Sequence, residues 1–577
     1  MGTTTRRSAI ALAGLALAGL AACDAQAGDD GGRHELTGVE SVGDTTGWDA
    51  TYYESSCAST EEARSAGEAV AEEVEAGGVV LLANDGTLPL APGTTVSLLG
   101  RGAVDVVYGG TGAALIDSSS AVDLRAAAEG AGLVVNATAW EWLSSVAPDY
   151  KPETVSHYLG EVPWEAYPEE VRASLAGTVG VVVLSRPSGE GADLSQDLLA
   201  SLESGVSETF VANAETARYE EGQHQLELCA EERELLAAAR EACDALVVLL
   251  NVATTMEVGP LMEPGGPCAA SALVEIGFPG AVGLRSVARV LTGEVNPSGR
   301  TCDLWASDLS ATPSFMNFGD HTYPDVTDYY TSIGSGAHFV EYEEGVYVGY
   351  RYYETAAAEA AAGRYEGFDY DAAVTFPFGY GLSYTTFERE LLEVTRDGET
   401  VSVRARVTNA GQVAGRDVVQ VYGSAPYTGA VEKSAVVLLA FAKTAELAPG
   451  ASEEVGLSFA VRDLASWSSD RGAWLLEAGS YEVSLRSDSH TVVGARTLEL
   501  GETVYDTDSA TGASVANRFD DVTDYLETHC TPLTRADFAG TFPTRAEDRT
   551  AASVDVALEE YDALSAVNPD DEMPTTR

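Results

Sequence analysis

An apolar run that stops abruptly at a glycine-flanked carboxylate constrains this chain most. Residues 180–184 read Gly-Val-Val-Val-Leu, which predicts a strand buried on both faces, as in a parallel sheet. Pro187 then leads into Ser-Gly-Glu-Gly at residues 188–191. In open α/β sheets, ligand sites lie at the carboxyl ends of strands, which is where Glu190 is predicted to be. We expect Glu190 to act as a proton donor in such a site, because partial burial would raise the pKa of its carboxyl group. An ordinary solvated loop acid is the alternative.

Strands and helices alternate over about 250 residues around this stretch, as estimated from the apolar patterns. The predicted strands lie at residues 79–83, 96–99, 132–136 and 243–251, and the predicted helices at 60–76, 122–129, 226–241 and 284–291. Such alternation predicts a layered α/β domain with a mostly parallel sheet.

Past Phe387 the apolar period changes to two. Valines at 401, 403 and 407 alternate with polar residues, and similar short runs follow, separated by Pro-Gly and Ala-Gly breaks. This pattern predicts an antiparallel β-sandwich of about 100 residues. Two clusters rich in aromatic residues and glycine precede it, at 344–353 and 376–384, and we expect their rings to join domains rather than bind a ligand.

Charge and cysteine usage exclude several classes of function. With 90 acidic and 33 basic residues the formal charge is −57, which excludes nucleic acid or an anionic lipid surface as a natural partner. The cysteines form neither CxxC pairs nor Cys/His clusters at metal spacing, so we expect no zinc site. The glycines at 109–112 lack the spacing of a dinucleotide loop, which argues against a nucleotide-binding protein.

The first residues predict export. Arg6 and Arg7 precede a small, apolar stretch at 9–22 that is short for a membrane span. Residues 20–23, Leu-Ala-Ala-Cys, resemble a bacterial lipobox, so we expect residues 1–23 to be a lipoprotein-type signal and Cys23 to carry lipid on the outer face of the cell membrane. Residues 24–54 would form a tether and lead-in. A plain signal peptide, with a secreted product and an incidental Cys23, is the alternative.

Several motifs in consistent order resemble the family 3 glycoside hydrolases, chiefly β-glucosidases, over residues 55–489. They are GVVLLANDGTLPL at 78–90, VNPSGR at 295–300, the aromatic clusters at 344–353 and 376–387, and VTNAGQVAGRDVVQVY at 407–422. The resemblance implies an α/β sandwich domain at 55–385 and a fibronectin type III-like domain at 386–500. Residues 501–577 would then form an acidic tail or linker.

The resemblance also implies a reaction. Residues 188–191 followed by Asp193 resemble the loop that delivers the general acid/base glutamate of this family, so Glu190 is the candidate catalytic residue for retaining hydrolysis of β-linked glycosides or oligosaccharides. Asp193 and Ser188 would support the loop. Arg186 would either hold Glu190 or Asp193 by charge-assisted bonds or simply cap the strand. No metal or organic cofactor is implied.

The nucleophile of this family is an aspartate on a (β/α)₈ barrel, which needs about 250 residues. The α/β domain begins near Ser55 and the tail after residue 501 is too short for a barrel. We therefore expect this chain to supply the acid/base half of the site, in reversed domain order, with a separate barrel chain as partner. The alternatives are a non-catalytic, lipid-anchored carbohydrate-binding or scaffold protein and a truncated inactive fragment.

Overall fold

The computed structural model describes most of the chain between residues 56 and 543. The described ranges are 56–110, 115–150, 157–189, 196–199, 210–212, 217–317, 342–515 and 531–543. Cys23, Glu190 and Asp193 lie outside them. Within these ranges no helix combines the length and apolarity that a bilayer crossing requires.

A six-stranded, mostly parallel sheet forms the centre of the first domain. Its strands are β1 (Val80–Asn84), β2 (Thr95–Leu99), β3 (Val134–Val135), β5 (Val179–Arg186), β7 (Ala245–Val252) and β8 (Ala272–Glu275). They lie in the order β1-β8-β7-β5-β2-β3, and every pair is parallel except β1 with β8. β4 (His157–Leu159) and β6 (Phe210–Ala212) form a separate parallel pair. The mostly parallel α/β prediction is therefore confirmed.

The apolar runs explain why β5 and β7 lie in the middle of this sheet. Residues 181–184 of β5 and 246–250 of β7 are at most 1% exposed, as expected for strands covered on both faces. The α-helices in the described part of this domain include α1 (Thr60–Gly78), α2 (Arg101–Val104), α3 (Leu124–Gly130), α4 (Ala137–Val146), α5 (Glu169–Ala173), α6 (Ala230–Ala242), α7 (Gly259–Met262) and α8 (Leu284–Leu291). Apolar faces of α3, α6 and α8 pack into the same core.

Local hydrogen bonds correct two predicted boundaries. The helix predicted at 226–241 begins only at Ala230, because Cys229 is extended and its N–H donates to the Glu232 carboxylate at 3.0 Å, which completes the N-terminal cap. The helix predicted at 122–129 begins at Leu124, because the Asp123 carboxylate accepts the N–H of Ala126 and caps it. Periodicity located both helices but could not locate their caps.

The described part of the region between residues 300 and 376 contains helices as well as strands. β9 (Trp305–Ala306) pairs with β10 (Val374–Phe376), and α9 (Tyr350–Ala361) and α10 (Tyr370–Ala373) lie between them in the chain. Part of the first aromatic cluster thus opens a helix, since Tyr352 and Tyr353 are buried on one side of α9.

The second domain is an antiparallel sandwich, as predicted. One sheet holds β11 (Phe387–Asp397), β12 (Thr400–Asn409) and β15 (Ser452–Ala460), and the other holds β14 (Val437–Lys443), β13 (Val418–Ser424), β18 (Gly479–Arg486) and β19 (Val492–Leu500). A small third sheet consists of β16 (Ser466–Ser468), β17 (Ala473–Leu476) and β20 (Thr503–Tyr505). Alternate residues of β12, Val401, Val403 and Val407, fill the sandwich core.

The aromatic and glycine-rich segment before β11 joins the two domains. Gln420 of the sandwich donates to the carbonyl oxygen of Gly379 at 2.9 Å. A Cβ at Gly379, whose φ is +80°, would lie 2.1 Å from Oε1 of Gln420, so this approach requires glycine. The Phe378 ring stacks on Tyr350 at 4.5 Å, and Tyr350 in turn meets Tyr422 of β13 edge-on, with ring centroids 6.5 Å apart. The rings serve the joining role that their density predicted.

Two segments of the predicted tail are folded. β20 pairs with β17, and α11 (Phe538–Thr541) packs against the aromatic cluster. Phe538 is 2% exposed, and its ring centroid lies 5.0 Å from that of Tyr347 in an edge-on contact. Residues 503–505 and 531–543 are therefore folded parts of the protein rather than a linker.

Candidate functional site

A cleft of about 500 Å³ opens at the carboxyl ends of the neighbouring strands β2 and β5. The turn after β2 forms one wall, and Pro187 and Ser188, which follow β5, form another. Ser188 thus borders the cleft, and Glu190 follows it two residues later, outside the described residues. The structure places a cleft where the strand-end argument predicted a site.

Asn251 holds three strand ends together beside this cleft. It is the penultimate residue of β7 and is fully buried. Its Nδ2 donates to the carbonyl oxygens of Val107 at 2.9 Å and Gly277 at 2.7 Å, and its Oδ1 accepts from the Val107 N–H at 2.8 Å and the Ser185 hydroxyl at 3.1 Å. One side chain therefore fixes the segments after β2 and β8 against the end of β5. Sequence reasoning missed Asn251, although a lone polar residue closing an apolar strand is the signal that could have found it.

Arg101 and Glu161 form a buried polar cluster in the wall of the cleft. The Arg101 guanidinium pairs with Asp105, donates to the Gly160 carbonyl at 2.8 Å and lies 5.0 Å from the centre of the Tyr158 ring. Arg101, Asp105 and Tyr158 all line the cleft. These contacts hold a cation and its carboxylate partner in fixed positions, an arrangement suited to binding hydroxyl groups.

The Glu161 carboxylate caps the start of α2. Its Oε1 accepts the N–H groups of Arg101 and Val162, each at 2.6 Å. Burial raises the pKa of Glu161 to about 7, although these two bonds and the Arg101 charge act in the opposite direction. Nothing in the local sequence Gly-Glu-Val distinguishes this carboxylate from a surface acid, so sequence reasoning did not find it.

Arg186 bonds to Glu232 and to backbone carbonyl oxygens around the end of β5. Its guanidinium forms a bidentate ion pair with Glu232 at 2.6 and 2.8 Å. The remaining N–H bonds go to the carbonyl oxygens of Ser185, Gln225 and Glu227. All five donors are used in this way, so these contacts favour the strand-capping interpretation of Arg186 over a bond to Glu190 or Asp193.

In the described part of the chain, no three His, Cys, Asp or Glu side chains are grouped so as to hold a metal ion. Cys229, Cys243 and Cys268 are buried thiols. Burial raises the pKa of each, which keeps these thiols protonated and weakly nucleophilic.

Family comparisons agree with this architecture. Residues 79–350 match the family model described as the glycosyl hydrolase family 3 C-terminal domain, and residues 417–489 match the fibronectin type III-like domain. Among curated relatives, a beta-glucosidase of Ruminococcus albus is 31% identical over 72% of this chain, and beta-glucosidase A of Butyrivibrio fibrisolvens is 30% identical over 71%. The chain spans 39% and 48% of the lengths of these two relatives.

Solved structures give the same result. Beta-glucosidase 3B from Thermotoga neapolitana, in complex with alpha-D-glucose, superposes with a TM-score of 0.61 at 30% identity, covering 78% of this chain and 56% of that one. A beta-glucosidase from Paenibacillus barengoltzii superposes with a TM-score of 0.61 at 26% identity, covering 76% of this chain and 44% of that one.

Proposed function

We propose that this chain, which carries the C-terminal α/β domain and the fibronectin type III-like domain of the family 3 glycoside hydrolases, acts in the hydrolysis of β-glucosides with Glu190 as its general acid/base. The observation that carries the proposal is the position of the Ser-Gly-Glu-Gly sequence. Its first residue, Ser188, follows the buried strand β5 of the matched domain and borders a cleft of about 500 Å³.

The chemistry needs two carboxyl groups about 5–5.5 Å apart. In the first step, the Glu190 carboxyl would donate its proton to the glycosidic oxygen while a second carboxylate attacks the anomeric carbon and the leaving alcohol departs. In the second step, the Glu190 carboxylate would take a proton from water, which attacks the anomeric carbon and releases the sugar with retained configuration.

The second carboxylate is the nucleophile, which we propose lies on a (β/α)₈ barrel domain, as in the family that the sequence resembles. The described residues form an α/β domain and a sandwich, and no barrel is among them. The Thermotoga neapolitana relative is described in complex with glucose, and we propose that a glucose ring occupies the cleft beside Ser188. Arg101 and Asp105 would bind its hydroxyl groups, and Ser188 and Asp193 would support the loop.

We further propose that the chain is exported and lipidated at Cys23. Palmitate labelling of growing cells should mark the wild-type chain and not a Cys23→Ser variant, and the variant should leave the membrane fraction. Equal labelling of both would contradict lipid attachment at this residue.

Turnover of 4-nitrophenyl β-glucoside tests the enzymatic proposal. The purified chain is assayed alone and with a separately purified family 3 barrel polypeptide, using wild type, Glu190→Gln and the control Glu170→Gln, which changes an exposed residue of α5. We expect hydrolysis with the barrel in wild type and in the control, and its loss in Glu190→Gln. Activity of the chain alone would place a nucleophile within it. Binding of glucosides without turnover in any mixture would instead support a non-catalytic carbohydrate-binding protein.

A further inference from the structure

A second cleft, of about 600 Å³, lies in the fibronectin type III-like domain, far along the chain from the loop after β5. The hairpin of β16 and β17 forms one side of it, and the segment at 430–437 and Arg351 of α9 form another. This volume is within the range of about 300–1,000 Å³ that small-molecule sites occupy.

Two tryptophans line this cleft. Trp467 on β16 and Trp474 on β17 are directly opposite each other in the antiparallel register, so their side chains lie on one face of the small sheet. Their ring centroids are 5.6 Å apart and the rings are nearly perpendicular. The next strand places Tyr505 opposite Trp474, which extends the aromatic row across three strands.

Core packing does not account for these rings. In the described part of the chain neither indole belongs to a hydrophobic core, and Trp474 remains 41% exposed. An indole is the largest apolar side chain, so keeping it exposed forgoes favourable burial. Two such rings lining one cleft indicate a surface that binds something flat and partly apolar.

Polar groups surround the two rings. Asp463, Asp470, Ser466 and Ser469 lie on or beside the hairpin and line the cleft. The Asp463 carboxylate is fixed by accepting the Ala460 N–H at 2.9 Å. Carboxylate oxygens accept hydrogen bonds from sugar hydroxyls, and serine hydroxyls can both donate to them and accept from them. The carbon face of a pyranose ring can stack on an indole.

A buried ion pair lies at the cleft. Lys433 is 5% exposed and pairs with Glu477, which also accepts from the Thr428 hydroxyl. The buried cation is therefore already neutralised. Among the other charged side chains that line the cleft, Glu432, Asp463 and Asp470 outnumber Arg351, and the formal charge of the whole chain is −57, so an anionic ligand is disfavoured.

From these observations we infer that the cleft between Trp467, Trp474 and Asp470 binds the pyranose rings of a neutral oligosaccharide, as a second carbohydrate site separate from the loop that carries Glu190. The choice of a β-linked glucan as probe rests on the proposed function. The binding test is carried out in the Glu190→Gln background, so that its result does not depend on hydrolysis.

Isothermal titration calorimetry with cellotetraose and laminaritetraose tests the inference. We expect millimolar or tighter binding of one of them, weakened about ten-fold or more by Trp474→Ala and largely restored in Trp474→Tyr, which keeps an aromatic face. The control Phe441→Ala removes a ring that is 67% exposed on β14 but does not line the cleft, and should leave binding unchanged.

Asp470→Asn provides a second variant should Trp474→Ala fail to fold, because Asp470 is exposed and outside the core. We expect it to weaken binding several-fold by removing a charged acceptor. No heat with either sugar, or binding that is unchanged in both Trp474→Ala and Asp470→Asn, would overturn the inference. Loss of turnover in Glu190→Gln is a separate result that bears only on the proposed function.

Discussion

The guanidinium of Arg300 donates to the carboxylate of Asp417 at 2.8 Å, and this ion pair joins the α/β domain to the sandwich. Asp417 is fully buried and also accepts two bonds from Arg389, both at 2.6 Å. Arg300 closes the VNPSGR segment and Asp417 immediately precedes β13, so two of the motifs that carried the family resemblance meet here.

Replacing Asp417 with Asn should destabilise the protein by about 3–5 kcal/mol, because two guanidinium groups would lose their compensating charge inside the domain junction. The free energy of unfolding in urea measures the loss. The control Glu454→Gln removes a carboxylate that pairs with Arg404 and Arg406 in exposed positions, and should change the midpoint little. Equal effects of the two substitutions would show that the junction does not depend on Asp417.

Asn251→Ala should lower both stability and turnover, because the buried carbonyl oxygens of Val107 and Gly277 lose their donor and the cleft loses its common anchor. We expect a destabilisation of about 2–4 kcal/mol, since two buried acceptors are left unsatisfied. Asn84→Ala is the matched control. Asn84 also donates to a carbonyl oxygen, that of Leu88 at 2.8 Å, but it ends the antiparallel strand β1, at the other edge of the sheet.

Thermal midpoints and the kcat of the active assembly separate the two Asn variants. Both should melt earlier than wild type, and only Asn251→Ala should reduce kcat after correction for folded protein. An unchanged kcat in folded Asn251→Ala would show that Asn251 does not contribute to turnover at the cleft.

Substitutions of Arg186 and Glu232 should have non-additive effects on the free energy of unfolding. Glu232→Gln alone leaves a buried guanidinium without its charge partner and should destabilise by about 3–5 kcal/mol. The double variant Arg186→Met with Glu232→Leu removes both charges and should be less destabilised than this single variant. Urea denaturation of wild type, Arg186→Met, Glu232→Leu and the double variant measures the coupling. Simple additivity of the two single substitutions Arg186→Met and Glu232→Leu would contradict a coupled buried pair.

Glu161 makes stability depend on pH. The folded-state pKa of about 7 lies above the ordinary value of 4.5, so the folded state binds this proton more tightly than the unfolded chain does. Stability from this group is therefore present below about pH 4.5 and is lost as the pH rises through 7. Glu75 and Glu275, whose pKa burial also raises to about 7, act in the same direction.

Glu161→Gln should remove part of this dependence, since glutamine mimics the protonated form. Between pH 5 and pH 8 we expect wild type to lose about 2 kcal/mol more unfolding free energy than the variant does. Glu129→Gln, at an exposed position of α3, is the control and should retain the wild-type slope. A Glu161→Gln slope equal to that of wild type would show that Glu161 is ionised in the folded protein at pH 5.

Sequence patterns predicted most of the fold because burial dictates them. Burial alone explains the apolar runs that form β5 and β7 and the alternating pattern that forms β12. Predicting these strands requires only knowing which residues avoid water, and no knowledge of their tertiary contacts. Helix boundaries depended on single hydrogen bonds, such as the one at Cys229, which periodicity does not encode.

The site was predictable only in part. The end of β5 and its cleft follow from the strand argument. In contrast, the contact of Glu161 with Arg101 and that of Asn251 with Val107 depend on how the sheet brings distant segments together. The partner of Arg186 could not be chosen from sequence, because Glu232 lies 46 residues away on α6. The roles of Glu190 and Asp193 remain predictions.

The central claim is that Glu190 transfers the proton in β-glucoside hydrolysis, and leaving-group dependence with azide rescue tests it most directly. In the assembly with the barrel polypeptide, Glu190→Gln should slow 4-nitrophenyl β-glucoside turnover by about 10² or more. It should slow the 2,4-dinitrophenyl substrate far less, because that leaving group needs no proton. Added azide should accelerate the variant and yield β-glucosyl azide, while Glu170→Gln behaves as wild type. Equal slowing of both substrates without azide rescue, or no slowing at all, would contradict the role of Glu190.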